Sequence, residues 1–146
     1  MVSDTDAAEP FGDSGMIEQP IQQQLIEAAL AARERAYAPY SKFLVGAAVL
    51  AEDGTITSGA NVENSSYGLT LCAERVAATA AVAEGARTLT AVAIATTGGA
   101  SPCGACRQVL AEFGGAMDVV LVDVDNLANV RTTLLDQLLP EQFKLE

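Results

Sequence analysis

The chain has no histidine and no tryptophan. Without histidine there is no Ser-His-Asp or Cys-His apparatus, no H-E-x-x-H zinc helix and no histidine pH switch. Acid–base chemistry must then fall to a carboxylate, a thiol, Lys, Tyr or a metal-bound water. Positive charge is scarce as well: 8 Lys and Arg stand against 19 Asp and Glu, a formal net charge of −11. Nucleic-acid binding relies on Lys and Arg to neutralise phosphates. With no basic run in the chain, a nucleic-acid partner is not expected, and an anionic membrane surface is disfavoured for the same reason. Long apolar runs are missing too. Gly, Thr or charges interrupt every stretch well short of the roughly 18 residues that a membrane-spanning helix needs, so no membrane partner is expected.

Met1 to Gly15 is polar and acidic, and lacks both a basic start and an apolar centre. It does not read as a signal peptide, and a cytoplasmic, reducing location is expected. Residues 1–15 are expected to form a disordered extension and residues 16–146 a single domain. A chain of 146 residues can bury a core without disulfide staples. In a reducing compartment, 3 cysteines read as thiols or metal ligands rather than as a disulfide framework. Apolar residues make up 50% of the chain and charged residues only 18%. That shortage of charge modestly favours a surface partly buried against other copies of the chain over an Ala-rich monomer.

Ile21, Leu25, Ala28, Ala29 and Ala32 recur at helical spacing, and Pro20 suits a first turn, so a helix is expected from Pro20 to about Tyr37, stopped by Pro39. Phe43 to Ala51 reads as a strand, Asp53-Gly54 as a hairpin turn, and Thr55 to Val62 as the returning strand. A polar loop, Glu63 to Thr70, leads to a helix from about Cys72 to Glu84, ended by Gly85. Leu89 to Thr96 reads as a buried strand. A third helix is expected from about Cys103 to Phe113 and a strand from Met117 to Val122. The link that follows is too short for a helical crossover, so the strand at about Ala128 to Thr132 should run antiparallel. A short helix, Leu134 to Leu139, ends at Pro140. The order α-β-β-α-β-α-β-β-α predicts an α/β fold with a mixed five-stranded sheet and helices packed on its faces.

The three cysteines each fall at or near the start of a predicted helix: Cys72 in Cys72-Ala73-Glu74-Arg75, and Cys103 and Cys106 in Pro102-Cys103-Gly104-Ala105-Cys106-Arg107. A C-x-x-C pair brings two sulfurs within reach of one metal ion, and helix starts favour thiolates. Three other readings stay open. A lone Cys is most often a small buried hydrophobe. A Cys-Gly-Ala-Cys pair suits thiol–disulfide exchange. A structural zinc site needs four ligands, and this chain falls one short unless a carboxylate or a neighbouring subunit supplies it. The simpler reading is a zinc ion with an open position for water, the arrangement of a hydrolytic catalyst. Glu74, two residues after Cys72 in a first helical turn, is placed to reach that water. A favourable contact with the helix dipole is the plainer role for such a Glu, but beside a ligand, general acid–base work is the stronger reading. Zinc held by three thiolates carries net negative charge, which weakens its pull on water. Arg75 and Arg107 stand close behind the cysteines and are expected to donate to the sulfurs and draw off that charge.

These residues resemble the zinc-dependent nucleoside and nucleotide deaminases, a class with a Cys₃ zinc option, a Glu that is not a ligand and a P-C-x-x-C signature. The chain is most similar in pattern to the small cytidine deaminases. The matching segments are YSKFLVGAAV from Tyr40, NVENSSYGLTLCAERVA from Asn61, SPCGACRQVLAEF from Ser101 and LLPEQF from Leu138. The resemblance implies a three-layer α-β-α fold and one Zn²⁺ per chain on Cys72, Cys103 and Cys106. It makes Glu74 the proton shuttle. It assigns Asn61 and Glu63 to the ribose hydroxyls, Phe43 to the face of the pyrimidine and the Ala73 N–H to the base carbonyl. It implies a homotetramer, with Ser65, Tyr67 and Phe143 approaching the substrate from neighbouring chains. The expected activity is hydrolytic deamination of cytidine and 2′-deoxycytidine, a step of pyrimidine salvage. A deaminase of a modified nucleoside, such as a blasticidin-type antibiotic, is the near alternative. Glu63 separates the two, because a free ribose diol calls for that carboxylate. A zinc-stabilised module without catalysis is the alternative from another class. Lys42 beside the aromatic, and the acidic extension, are features that the resemblance does not cover.

Overall fold

The computed structural model describes residues 17–145. The expected extension, 1–15, lies outside the described residues. The elements are α1 (Gln19–Arg33), β1 (Gly46–Ala51), β2 (Ile56–Ala60), a 3₁₀ turn (Tyr67–Leu69), α2 (Ala73–Ala83), β3 (Leu89–Thr96), α3 (Gly104–Gly114), β4 (Asp118–Asp123), β5 (Val130–Leu134) and the single-turn α4 (Leu135–Leu138). They follow the expected order.

One five-stranded sheet runs β2-β1-β3-β4-β5. β1 pairs antiparallel with both β2 and β3, β3 pairs parallel with β4, and β5 returns antiparallel along β4. The sheet is therefore mixed, and the short link before β5 does reverse the chain.

Side-chain alternation assigns the two faces. Ala47, Val49, Val92, Ile94, Val119 and Leu121 point to one face, where they pack with Ala73, Ala77, Ala78 and Ala81 of α2, Leu110 and Ala111 of α3, and Leu135 of α4. Ala48, Leu50, Ala91, Ala93, Ala95, Val120 and Val122 point to the other, against Leu25, Ile26 and Ala29 of α1. This is the three-layer α-β-α arrangement. The central strands are apolar on both faces, which is why they read as continuous apolar runs rather than alternating ones.

Small residues set how closely the layers approach. A Cβ on Gly46 would lie 2.0 Å from the Ala29 carbonyl oxygen, and one on Gly59 would lie 2.7 Å from the Ala77 nitrogen. α1 and α2 thus sit on the sheet at distances that only glycine permits at those two positions.

Two boundaries differ from expectation for a common reason. α1 stops at Arg33, short of Tyr37, and β1 starts at Gly46, not Phe43. Residues between them answer to Asn61 and its neighbours. The Tyr37 N–H donates to the Asn61 carbonyl (2.9 Å), and Tyr37 and Val62 form a parallel bridge. The Asn61 side chain donates to the Phe43 carbonyl (2.8 Å) and accepts from the Val45 N–H (3.0 Å). A side-chain amide here takes the place of a strand partner. β5 lies slightly later than expected, because the β-branched run Thr132-Thr133 continues the strand, and α4 falls within its expected range.

Candidate active site

The starts of α2 and α3 converge over the sheet. Cys72 and Cys103 occupy the position just before each helix, with extended backbone (φ −73°, ψ 151° and φ −68°, ψ 169°). Cys106 follows in the first turn of α3 and is fully buried. The three sulfurs lie within 4.8 Å of one another. Cys72 and Cys103 are 4.0 Å apart, and Cys103 and Cys106 are 3.5 Å apart. Tetrahedral Zn–S bonds of about 2.3 Å put sulfurs about 3.8 Å from each other. The donor set is soft and fits one zinc ion without large rearrangement.

Charge within the cluster follows from its contacts. The Cys106 thiol donating to Cys72, together with the Arg75 guanidinium, draws the Cys72 thiol down to about 5 against the effect of burial. The same bond to Cys72, with burial and the Glu74 charge, pushes the Cys106 thiol up. Without a cation one thiolate thus opposes the formation of another, so metal binding at this site must release protons.

Glu74 lies in the first turn of α2 and is 5% exposed. Burial pushes its carboxyl up to about 7, and the nearby Cys72 thiolate adds to the rise. A carboxyl poised there can both accept and donate a proton near neutral pH. Ala73 begins the helix and is buried. Its N–H is among the first-turn donors that no helical carbonyl can satisfy.

The two arginines part company. Arg75 Nη2 donates to Cys72 Sγ (3.4 Å) and to the Thr70 carbonyl (3.5 Å). Its Nε is the one buried side-chain N or O atom without a partner among the described residues. Arg107 does not donate to a sulfur, contrary to expectation. It bonds the Pro102 carbonyl (2.7 Å), the Leu138 carbonyl (2.6 Å) and Ser101 Oγ (3.2 Å). The loop before Cys103 and the C-terminal segment lie within reach of its planar fork, and each of its three nitrogens donates to one of these acceptors.

A small bridge sets Asn61 beside the cluster, with Glu63 two residues further on. Val62 and Leu71 exchange both backbone hydrogen bonds at 2.9 Å. The antiparallel register sets Asn61 alongside Cys72. Both side chains are buried, Asn61 at 6% and Glu63 at 4% exposed. Glu63 accepts from the Tyr40 N–H (3.0 Å), the Ser41 N–H (3.2 Å) and Ser41 Oγ. The Ser41 hydroxyl has the largest effect and, helped by the weaker contributions of the backbone donors and Lys42, holds its carboxyl below the usual range against the opposing effect of burial. Ser41 also accepts from the Phe43 N–H (3.0 Å). Sequence reading does not single out Ser41; the only available signal was its place in the Tyr40–Phe43 segment.

Phe43, Tyr67 and Phe143 are exposed, as are Ser65, Tyr37, Tyr40, Val62, Leu69 and Leu71. A cavity of about 630 Å³ opens at the far end of α2, lined by Glu52, Asp53, Glu84 and Arg87 among others. It contains none of the candidate site residues. No helix among the described residues is long and apolar enough to cross a membrane.

Comparison with known proteins agrees with this geometry. Residues 19–123 match the cytidine and deoxycytidylate deaminase zinc-binding region. The chain is 51% identical to the cytidine deaminase of Sporosarcina psychrophila over 127 residues, which covers 85% of this chain and 92% of that one. It is 48% identical to the cytidine deaminase of Halalkalibacterium halodurans over 128 residues, 86% of this chain and 96% of that one. The crystal structure of cytidine deaminase from Burkholderia pseudomallei matches with a TM-score of 0.78 at 50% identity, over 83% of this chain and 98% of that one. The converging Cys₃ cluster, the three-layer fold and these matches place the chain in the zinc-dependent cytidine deaminase family.

Proposed function

We propose that the protein hydrolyses cytidine and 2′-deoxycytidine to the uridines and ammonia, as a pyrimidine-salvage enzyme. The observation that carries this reading is Glu74, a buried carboxyl near neutrality two residues from Cys72 in a cluster fit for zinc. Cys72, Cys103 and Cys106 would hold one Zn²⁺ per chain, and zinc, when bound, supplies a Lewis acid that lowers the pKa of water. Glu74 accepts a proton from the attacking water and delivers it to N3 of the pyrimidine. It then serves the departing amine in the same way. The Ala73 N–H donates to the base carbonyl, and Phe43 packs against the ring. Asn61 and Glu63 read the sugar, one as donor and acceptor, the other as acceptor alone. Arg75 tempers the charge on Cys72.

The exposed aromatic and aliphatic side chains around Tyr37, Phe43, Tyr67 and Leu71 support a homotetramer in which Ser65, Tyr67 and Phe143 of one chain approach a neighbour's site. The substrate is an uncharged nucleoside and not a nucleic acid, in keeping with the charge of −11. A cytoplasmic location suits the 3 thiols.

The test is loss of cytidine absorbance and release of ammonia by purified protein, with zinc quantified in the same sample and a blasticidin-type antibiotic in a parallel arm. Turnover of cytidine with one zinc per chain is expected. Zinc-loaded protein inert to cytidine overturns the reading, and turnover of the antibiotic alone replaces it with the modified-nucleoside alternative.

A further inference from the structure

We propose that Ser41 is a positioning residue for sugar recognition: its hydroxyl fixes the Glu63 carboxylate so that one acceptor site remains open to a sugar hydroxyl. This rests on the reading of the site as a nucleoside deaminase. A carboxylate offers about four lone-pair sites. On Glu63, Oε1 takes the N–H groups of Tyr40 and Ser41 at 3.0 and 3.2 Å, and Oε2 takes the Ser41 hydroxyl. One site on Oε2 is left, on the oxygen that Ser41 holds.

Ser41 also reaches the backbone of Phe43. Its oxygen accepts from the Phe43 N–H at 3.0 Å, across Lys42. Lys42 has a φ of +62°, a left-handed conformation that non-glycine residues adopt only when their surroundings impose it. Its N–H bonds the Ala38 carbonyl at 3.0 Å. One hydroxyl therefore links the group that reads the sugar to the turn that aims the aromatic. Backbone donors hold Oε1 whatever residue stands at 41; the hydroxyl alone holds Oε2.

The test compares wild type, Ser41→Ala and Ser41→Thr on cytidine and on 2′,3′-dideoxycytidine, which lacks both ring hydroxyls. Ser41→Ala is expected to raise KM for cytidine about tenfold, with kcat within about twofold, as for a lost hydrogen bond to a charged group. KM for the dideoxynucleoside should stay within about twofold, and Ser41→Thr should restore the wild-type ratio. The ratio of two KM values within one variant does not depend on how much of that protein is folded. An unchanged cytidine KM in Ser41→Ala overturns the proposal, as does an equal rise for both nucleosides or a Thr variant no better than Ala. Zinc-loaded wild type that leaves cytidine intact removes instead the deaminase reading on which the proposal rests.

Discussion

Glu63 and Glu74 are equally hidden from solvent, 4% and 5% exposed, but Glu63 lies just under the surface and Glu74 deep in the protein, and their environments push them in opposite directions. Glu63 begins a loop against which the Tyr40–Ser41 turn directs its donors: two backbone N–H groups and a hydroxyl. It stays ionised, as an acceptor should. Glu74 sits against the apolar start of α2 with a thiolate for company, and burial pushes its carboxyl up to about 7. Low exposure alone therefore does not make a carboxylate an acid catalyst. Depth of burial raises one carboxyl and facing donors lower the other, and the balance of the two decides whether the group holds a charge or exchanges a proton. The cavity at the far end of α2 gives the same lesson in reverse. It is large, at about 630 Å³, but nothing in it combines burial with converging chemistry.

The sharpest way to break the comparison is to neutralise each carboxylate. Glu74→Gln should keep its zinc and lose about 10²–10⁴-fold in kcat, measured by turnover with metal analysis. Near-native kcat would remove Glu74 from the proton transfers. Glu63→Gln should act on the other parameter, raising KM for cytidine about tenfold with a smaller change in kcat. Equal loss of kcat in both variants would erase the distinction between reader and shuttle.

Next in size is the pair of arginines. Arg75→Gln should weaken zinc binding about 10- to 100-fold in a chelator competition, because it removes a donor from Cys72. Arg107→Gln should instead lower stability by about 1–2 kcal/mol in a denaturant titration, since it leaves backbone carbonyls of the 101–102 loop and the C-terminal segment unpaired.

The smallest expected effect is one of pH. A carboxyl held below its free value of 4.5 stabilises the fold above pH 4.5, and that contribution is lost as pH falls through the lower folded value. Acid unfolding of the wild type should thus show a Glu63 component that Glu63→Gln lacks. Identical acid profiles would mean that the loop donors do not stabilise the ionised form.

Much of this was legible in advance. The five strands and the three longer helices were readable because their apolar periodicity is strong and a stop such as Gly85 is explicit. The cysteine cluster that could hold a metal was readable because the chain has so few alternatives: 3 Cys and no His. The roles of Arg107 and Ser41 were not. Arg107 looks equivalent to Arg75 along the chain, and only the fold brings the Leu138 carbonyl within 2.6 Å of its guanidinium, away from the sulfurs. Ser41 is an ordinary turn residue until the 61–63 loop is laid against it.

By itself, then, the sequence determined the fold class and the three cysteines that could hold a metal ion, because composition and local periodicity act without reference to distant parts of the chain. Only the tertiary structure decided which way each polar group faces. Hydrogen bonds at the site join residues 22, 23 and 31 positions apart. Their directions depend on where the sheet sets the loops, and no local pattern encodes that.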